Sequence, residues 1–286
     1  MSTSIDQAFI RDYEAEVHEI FQKQGSILLN TVRHKSNVVG SSTTFQKVGT
    51  GTATTKARHG TITPMNQAHT NHEATLVDFY AGDWVDKLDE AKTNIDERTV
   101  ISRGGAMALG RKIDSQLTTI FDATTQTAVS WTVSSFGAVQ AALLGMVEAL
   151  YANDVAADGM NYGALTPRAW AQAMTVDSFA SADYIGANGL PFTEEAPVHR
   201  FKDWMGIKWT VHTGLPGKGT SSAKVFVWNK NAVGYGSGSE ITADITWHGD
   251  RAAHFVNNMM SGGGVMIDDG GVIEGSINDT TAIATS

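Results

Sequence analysis

The stretch from residue 36 to residue 63 constrains the fold most, because it is too polar to form a core and too long to be an ordinary loop. Of its 28 residues, eight are Thr, four are Gly and few are large and apolar. Threonine favours extended backbone, since its branched Cβ suits a pleated surface. A loop of this length is uncommon in a compact domain unless it has a function. We therefore predict a long, projecting β-hairpin or extended loop that is stabilised by lying on another molecule.

The same region is basic, whereas the rest of the chain is acidic. Between Ile20 and His72 there are no acidic residues and six basic ones: Lys23, Arg33, Lys35, Lys47, Lys56 and Arg58. Of the 21 basic residues, 21 − 6 = 15 remain elsewhere, against 30 acidic residues. A basic segment on an acidic body can bind another copy of that body, and the alternative is an exposed loop that happens to lack acids. In the first case, we expect Lys47, Lys56 and Arg58 to contact an acidic neighbour.

The composition indicates a soluble globular chain. Hydrophobic residues make up 42% of it, enough for a sizeable core, whereas charged residues make up only 18%, so that part of the surface can be covered by another subunit. The net charge of −9 argues against a surface that grips nucleic acid. The absence of Cys excludes disulfides and thiolate metal sites and suits a reducing cytoplasm. We also expect no signal peptide and no membrane span, because the longest apolar stretch, residues 136–152, is interrupted by Gln140 and Glu148.

At the N-terminus, residues 4–24 have the pattern of an amphipathic helix. Ser4 and Gln7 have the spacing of a capping box, in which each side chain satisfies a backbone donor at the helix start. Five apolar side chains then fall on one face: Phe9, Tyr13, Val17, Ile20 and Phe21. Such a helix must dock either on its own body or on a neighbouring subunit, and the sequence leaves both possibilities open.

Helical periodicity continues through the middle of the chain. One helix is predicted from the spacing of Trp84, Leu88, Ala91 and Ile95. A longer helix is predicted from about residue 96 to residue 122, roughly 40 Å long at ~1.5 Å per residue. Its apolar stripe is Leu109, Ile113, Leu117, Ile120 and Phe121. Three glycines inside it, Gly104, Gly105 and Gly110, each cost about 1 kcal/mol relative to Ala, which indicates close backbone packing or a bend.

The remaining elements are mixed, and together they predict an α+β fold. A helix begins near Ser135 with the apolar face Phe136, Val139, Leu143, Met146, Val147 and Leu150. Thr166 and Pro167 have the pattern of an N-cap and first helical residue, and residues 178–197 resemble a loop. Strands are predicted at 207–211, at 225–228 and along the alternating residues 241–247, and a final hairpin is predicted around Asp268–Gly271.

The sequence contains no convincing catalytic or cofactor motif. His69, His72 and Glu73 match no zinc-protease spacing, and we expect them to be structural residues at a junction between a loop and a helix. The alternative is Zn²⁺ binding by the two imidazoles, which would need a third ligand nearby. The Gly-rich run at 234–238 lacks the third Gly of a dinucleotide site and is followed by a strand pattern. We therefore expect a protein that is not an enzyme and that has no cofactor and no metal. The seven Trp residues are predicted to lie in the core or at subunit contacts, with stacking on nucleic acid or sugar as the alternative.

The order of these elements resembles the major capsid protein of tailed bacteriophages, with its HK97-like capsid fold. Four stretches are similar to that family: residues 108–114 to the middle of the spine helix, 165–170 to a strand-to-helix turn of the A-domain, 205–216 to a later A-domain strand, and 262–273 to the C-terminal strands of the P-domain. The resemblance implies an N-terminal arm at 1–35 and an extended loop (E-loop) at 36–80. It implies a P-domain at 81–134 plus 246–286, with the spine helix at about 96–122, and an A-domain at 135–245.

The resemblance also implies a function, which is self-assembly into the icosahedral shell of a phage head around double-stranded DNA. Hexamers and pentamers of the chain would form the shell, with arm contacts made by Phe9, Tyr13 and Val17. A separate scaffolding protein is expected, because no cleavable scaffolding extension precedes the arm, together with a portal and a possible decoration protein. The protein would be made in the bacterial cytoplasm and end in the virion. An encapsulin-like compartment and a glycan-binding surface protein are the alternatives.

Overall fold

The computed structural model describes residues 25–90, 96–131, 135–155, 158–180 and 201–283. Within the described residues, the chain divides into two compact units. The first unit contains residues 25–26, 78–112 and 239–261, and the second contains residues 27–77, 113–238 and 262–283. The spine helix and three strands have residues in both units, and each unit is described by itself below.

Among the described elements, runs of strands lie towards both ends of the chain and the two long helices lie between them, as expected for an α+β chain. The helices are α1 (Lys87–Glu90), α2 (Glu97–Asp122), α3 (Phe136–Ala152), α4 (Pro167–Ala173) and α5 (Asp177–Ala180). The strands are β1 (Arg33–Lys35), β2 (Ser42–Val48), β3 (His69–Thr75), β4 (Val77–Asp86), β5 (Val129–Trp131), β6 (Asn161–Leu165), β7 (Lys202–Trp204), β8 (Ile207–Val211), β9 (Ala223–Asn229), β10 (Val233–His248), β11 (Ala253–Met266) and β12 (Val272–Ile277). Short 3-10 helices lie at Leu29–Thr31 and Asp269–Gly271.

The core of the second unit is a six-stranded sheet in the order β5-β12-β9-β6-β8-β7. β12 pairs in parallel with β5 and antiparallel with β9, while β6 pairs in parallel with β8 and antiparallel with β9. Helix α3 packs on this sheet through five of the six predicted side chains, which are buried: Val139, Leu143, Met146, Val147 and Leu150. Phe136, the sixth, remains 36% exposed.

Two helix starts in this unit follow directly from the sequence. Ser135 accepts a hydrogen bond from Ala138 N through its hydroxyl oxygen, and Thr166 accepts one from Ala169 N in the same way. Pro167 then occupies the first turn of α4, where its missing N–H costs nothing. The predicted helix start near Ser135 and the predicted N-cap at Thr166 are therefore confirmed.

The predicted spine helix is confirmed as α2, which has 26 residues. Four residues of the predicted stripe are buried, namely Leu109, Ile113, Leu117 and Phe121, and Ile120 is half-buried. Two of the three glycines are required by close packing within the first unit. A Cβ at Gly105 would lie 2.2 Å from Asn258 Nδ2, and a Cβ at Gly110 would lie 2.7 Å from the Gly25 backbone. A Cβ at Gly104 would meet nothing within 4 Å, so Gly104 has no such packing role.

The prediction of a helix beginning at Trp84 is wrong. Residues 77–86 form strand β4, and α1 is limited to Lys87–Glu90. A spacing of four between Trp84 and Leu88 fits a helix, but a spacing of two is equally consistent with the apolar residues of 77–86. Residues 77–86 form a strand and not a helix because they pair with the long strand β11. Residues 91–95 lie outside the described part of the chain.

The prediction of a hairpin around Asp268–Gly271 is also wrong. β11 belongs to a four-stranded sheet in the order β1-β10-β11-β4, whereas β12 belongs to the six-stranded sheet. The Asp-Asp-Gly-Gly turn is a short 3-10 helix that carries the chain from one sheet to the other. The expected loop at 178–197 begins as α5 through Ala180, and residues 181–197 lie outside the described residues.

The sequence predicts that the Trp residues lie in the core or at subunit contacts. Four of them are buried, in agreement with a place in the core: Trp131, Trp204, Trp209 and Trp228. Trp84 and Trp247 are exposed, at 37% and 45%. No helix in the described part of the chain is both long and apolar enough to cross a membrane.

Candidate interaction surface

The predicted projecting hairpin exists and consists of β2 and β3 joined by residues 49–68. The strands are antiparallel, with a register that runs from Ser42 opposite Thr75 to Val48 opposite His69. Gly49 N donates to Ala68 O at 2.8 Å and closes the last pair beyond the strands. The second strand lies further along the chain than residue 63, so the hairpin is longer than the Thr-rich stretch alone.

One aromatic residue anchors the base of the hairpin in the second unit. Phe45 on β2 is fully buried and packs with Ala74 on β3 and with Ile267. A Cβ at Gly234 would lie 2.8 Å from the Phe45 ring, so Gly at this position lets β10 approach the ring closely. The base is therefore a small apolar cluster, separate from the main core around α3.

Three of the basic residues in the acid-free region are engaged at this base. The Lys35 ammonium and the Arg33 guanidinium lie 4.7 Å and 5.8 Å from the centre of the Phe45 ring, within the range of a cation–π interaction. Lys47 Nζ lies 2.8 Å from Asp268 Oδ1. These three cations therefore stabilise the hairpin within the chain. Lys23 lies outside the described residues.

The distal loop of the hairpin differs from the base, because all of its residues are exposed to solvent. Every residue from Thr50 to Ala68 is exposed. Lys56 and Arg58 lie in this loop and form no ion pair among the described residues, and two apolar side chains, Ile62 and Met65, are 75% and 51% exposed. We call residues 50–68 the hairpin tip. Among the described residues, no ion pair or side-chain hydrogen bond joins Lys56 or Arg58 to the rest of the second unit, and Ile62 and Met65 leave half or more of their surface exposed.

The turn at Asp268–Asp269 contacts the hairpin base through Lys47 and is itself held in place by hydrogen bonds. Asp268 accepts from Gly270 N at 3.3 Å as well as pairing with Lys47. Asp269 accepts four hydrogen bonds, from Thr124 Oγ1, Thr125 N, Thr125 Oγ1 and Gln126 Nε2, at 2.6–2.9 Å. Burial would raise the pKa of Asp269, but the donors from Thr125, Gln126 and Thr124 outweigh burial and lower that pKa to about 2.

The histidine pair lies on a strand, which corrects the prediction of a loop-to-helix junction. His69 and His72 are both in β3, opposite Val48 and Phe45 respectively. Residues three apart on a strand point to opposite faces of the sheet, so the two imidazoles do not converge. Among the described residues, no group of three His, Cys, Asp or Glu side chains could hold a metal ion.

A second exposed surface, which the sequence analysis missed, lies on β10 in the first unit. The alternating residues 241–247 do form a strand, as predicted, but their apolar side chains are not buried. Ile241, Ile245 and Trp247 are 38%, 48% and 45% exposed and, two residues apart or multiples of two, they share one face of the strand. We call these three residues the β10 stripe. The Trp247 ring contacts the His254 ring and the Lys87 ammonium, at 4.9 Å and 5.5 Å. An alternating pattern alone could not reveal that, among the described residues, this face stays at least 38% exposed.

The arm residues Phe9, Tyr13 and Val17 lie outside the described residues. The three predicted loop contacts lie in two different parts of the hairpin. Lys47 belongs to the hairpin base, whereas Lys56 and Arg58 belong to the hairpin tip.

Comparisons with known proteins place this architecture in a family. A family model described as phage capsid protein matches residues 5–278. The fold is similar to the capsid structure of the cyanophage P-SCSP1u, with a TM-score of 0.75 and 16% identity over 97% of this chain and 95% of that one. It is similar to the Mycobacterium phage Che8 structure, with a TM-score of 0.71 and 15% identity over 96% and 98%. It is also similar to the capsid of a native GTA particle, with a TM-score of 0.70 and 11% identity over 95% and 96%.

A sequence comparison with curated proteins gives no match. The structural similarities, at low sequence identity, establish the HK97-like capsid fold, and the family model covers almost the whole length of the sequence. The chain therefore belongs to the phage capsid protein family and is a major capsid protein of the head shell.

Proposed function

We propose that this capsid protein closes its shell through contacts between copies that are made by the hairpin tip, the β10 stripe and the N-terminal arm. The single observation that supports this proposal best is the contrast along the hairpin. Its base is anchored by Phe45 and three engaged cations, whereas the tip, with Lys56, Arg58 and Ile62, is exposed throughout. An extended segment with this composition buries too little apolar surface to offset the entropy that it loses on ordering. We therefore infer that the surface of a partner subunit provides the missing contacts.

The partner surface for the hairpin tip is an acidic patch on another copy. The chain carries 30 acidic residues, and none of them lies between Ile20 and His72. Strand β4 is an edge strand with exposed Asp78, Asp83 and Asp86 along it. Two cations, Lys112 and Arg251, lie over the Phe79 and Trp84 rings of the same strand and neutralise part of this charge. Charge complementarity of this kind sets the register of association and disfavours incorrect pairing. We propose β4 as the receiving strand for Lys56 and Arg58. Lys47 remains a candidate contact with a smaller contribution, because Asp268 already neutralises its charge.

The β10 stripe and the arm supply the apolar part of the contacts. Exposed apolar residues that share one face of a strand indicate an interaction site. The apolar arm residues Phe9, Tyr13 and Val17 provide a second such surface. Contacts of this heterologous kind close rings when the rotation between copies is right, and many weak contacts in one shell act together through avidity.

The finer organisation of the particle also belongs to this proposal. We assign the arm to 1–35, the extended loop to 36–80, the P-domain to 81–134 plus 246–286 and the A-domain to 135–245. Hexamers and pentamers of the chain enclose double-stranded DNA without sequence-specific binding, in agreement with a net charge of −9. A separate scaffolding protein, a portal and a decoration protein are the proposed partners, and the bacterial cytoplasm is the proposed place of synthesis. The encapsulin-like and glycan-binding alternatives are not favoured, because the matching family is that of phage capsid proteins.

Reversal of the charges at the hairpin tip tests the proposal. The double variant Lys56→Glu/Arg58→Glu should remain folded by circular dichroism but should form far fewer shells in electron micrographs when it is expressed with the scaffolding protein. A matched control is Lys218→Glu/Lys230→Glu, which changes the net charge by the same amount at residues outside the hairpin. Shells from the tip variant in the same number as from wild type would refute a role of these cations in assembly.

A further inference from the structure

A buried carboxylate of the spine helix binds the backbone of residues 27 and 28, near the C-terminal end of the proposed arm at 1–35. Asp114 is 1% exposed. Its two carboxylate oxygens accept hydrogen bonds from Leu28 N at 3.1 Å and from Ile27 N at 3.3 Å. Asp114, Ile27 and Leu28 all belong to the second unit. The two backbone N–H groups therefore bind a charged acceptor 86 and 87 residues away in sequence.

A histidine also belongs to this buried group, and its hydrogen bonds show which ring nitrogen carries the hydrogen. His212 is 2% exposed, and its Nε2 lies 3.1 Å from Asp114 Oδ2. Its Nδ1 accepts a hydrogen bond from Gly214 N at 3.0 Å. Since a backbone N–H can only donate, Nδ1 must be the acceptor, and the ring hydrogen lies on Nε2 and is donated to Asp114. The histidine thus orients the carboxylate towards Ile27 and Leu28.

The residues that follow this attachment point are themselves fixed in the core of the second unit. Leu28, Thr31 and Val32 are at most 1% exposed. Trp228 Nε1 donates to Thr31 O at 3.1 Å, and Thr31 Oγ1 donates to Leu28 O at 2.6 Å. The packing of the buried Leu28 and Val32 side chains in the core does not itself require a carboxylate nearby. A buried carboxylate is costly unless it is fully hydrogen-bonded, so its presence here indicates a specific positioning task at residues 27 and 28.

We propose that Asp114 and His212 are positioning residues for the arm: they hold residues 27 and 28 as the fixed root from which the residues before Gly25 engage a neighbouring copy. This inference rests on the proposed function of the arm in shell assembly. Loss of Asp114 or His212 should therefore impair shell assembly through the arm. This effect is separate from any change in the stability of the second unit.

Amide hydrogen exchange and shell yield of the full chain, measured on Asp114→Asn, test the proposal. Asn offers one acceptor oxygen and no charge, so the amides of Ile27 and Leu28 should exchange about tenfold faster or more, as expected for loss of a hydrogen bond to a charged group. Shell yield with the scaffolding protein should fall, while circular dichroism is unchanged. Glu148→Gln, which neutralises an exposed acid on α3, is the matched control and should change none of these.

A double-mutant cycle separates positioning from a purely structural role. If Asp114 acts through the arm, Asp114→Asn should have little further effect on shell yield in a chain that already carries Phe9→Ala, Tyr13→Ala and Val17→Ala. Additive losses in the two backgrounds would overturn the proposal, as would unchanged exchange at Ile27 and Leu28. Should Asp114→Asn fail to fold, His212→Leu serves instead, with the same two readouts. Absence of shells from the wild-type chain would instead refute the proposed function itself.

Discussion

The ammonium group of Lys47 lies 2.8 Å from a carboxylate oxygen of Asp268, which joins the first strand of the hairpin to the turn that precedes β12. The two side chains are 36% and 47% exposed, and ion pairs this exposed contribute about 0–1 kcal/mol. We therefore expect Lys47→Ala to lower the free energy of unfolding by at most about 1 kcal/mol in urea titrations. Its shell yield should stay well above that of the hairpin-tip variant. A folded Lys47→Ala chain that forms no shells would instead identify Lys47 as an essential subunit contact.

The carboxylate of Asp269 predicts a pH dependence of stability. Its pKa is lowered from 3.8 to about 2 in the folded chain. The stabilisation from its four hydrogen bonds is therefore complete above pH 3.8 and is lost as the pH falls through about 2. At pH 7, Asp269→Asn should lower the free energy of unfolding by about 1–2 kcal/mol, a value reduced for partial exposure. Urea titrations at pH 7, 4 and 2.5 should show this difference shrinking only below pH 4, and a difference that is constant with pH would contradict the account.

Two adjacent glycines of α2 provide a matched pair of substitutions. Gly104→Ala adds a methyl group that meets nothing within 4 Å, so the gain in helix propensity should raise the free energy of unfolding by about 0.5–1 kcal/mol. Gly105→Ala places its methyl group 2.2 Å from Asn258 Nδ2 and 3.0 Å from Ala81 O, and the resulting overpacking should cost about 1–3 kcal/mol. Thermal or urea unfolding measures both. Equal effects at the two positions would show that Gly105 is not packed as described.

The β10 stripe predicts a separation between stability and assembly. Because Ile245 and Trp247 are 48% and 45% exposed within the chain and the Trp247 ring contacts His254 and Lys87, Ile245→Ser and Trp247→Ser should lower the free energy of unfolding by about 1–2 kcal/mol, less than a substitution in the core. They should nevertheless reduce shell yield. Trp209→Ser, at a fully buried position, serves as the contrast and should instead destabilise the chain strongly. Normal shell yield from both stripe variants would exclude this face from subunit contacts.

Local chemistry made part of the fold predictable. The caps at Ser135 and Thr166 need only a hydroxyl three residues before a backbone donor, and the stripe of α2 needs only a period of 3.6 residues. The hairpin was predictable for a similar reason, since Thr-rich extended backbone with too little apolar surface has few other conformations. These features depend on neighbours in sequence.

Features that depend on distant partners could not be predicted. The Asp-Asp-Gly-Gly turn favours a hairpin locally, yet β12 pairs with β5 and β9 because the six-stranded sheet offers it two partners. Asp114 and His212 are 98 residues apart, and neither has a local signal for their contact. The β10 stripe has the pattern of a half-buried strand, and only the tertiary structure shows that its apolar side chains stay 38–48% exposed among the described residues.

A cryo-electron-microscopy reconstruction of the particles assembled from the chain, expressed with the proposed scaffolding protein, tests the central claim most directly. The account predicts a closed icosahedral shell in which Lys56 and Arg58 of each copy lie within about 4 Å of carboxylates of an adjacent copy, an ordinary ion-pair distance. A solitary chain at high concentration, with the hairpin tip packed on its own body and no shell formed, would contradict it.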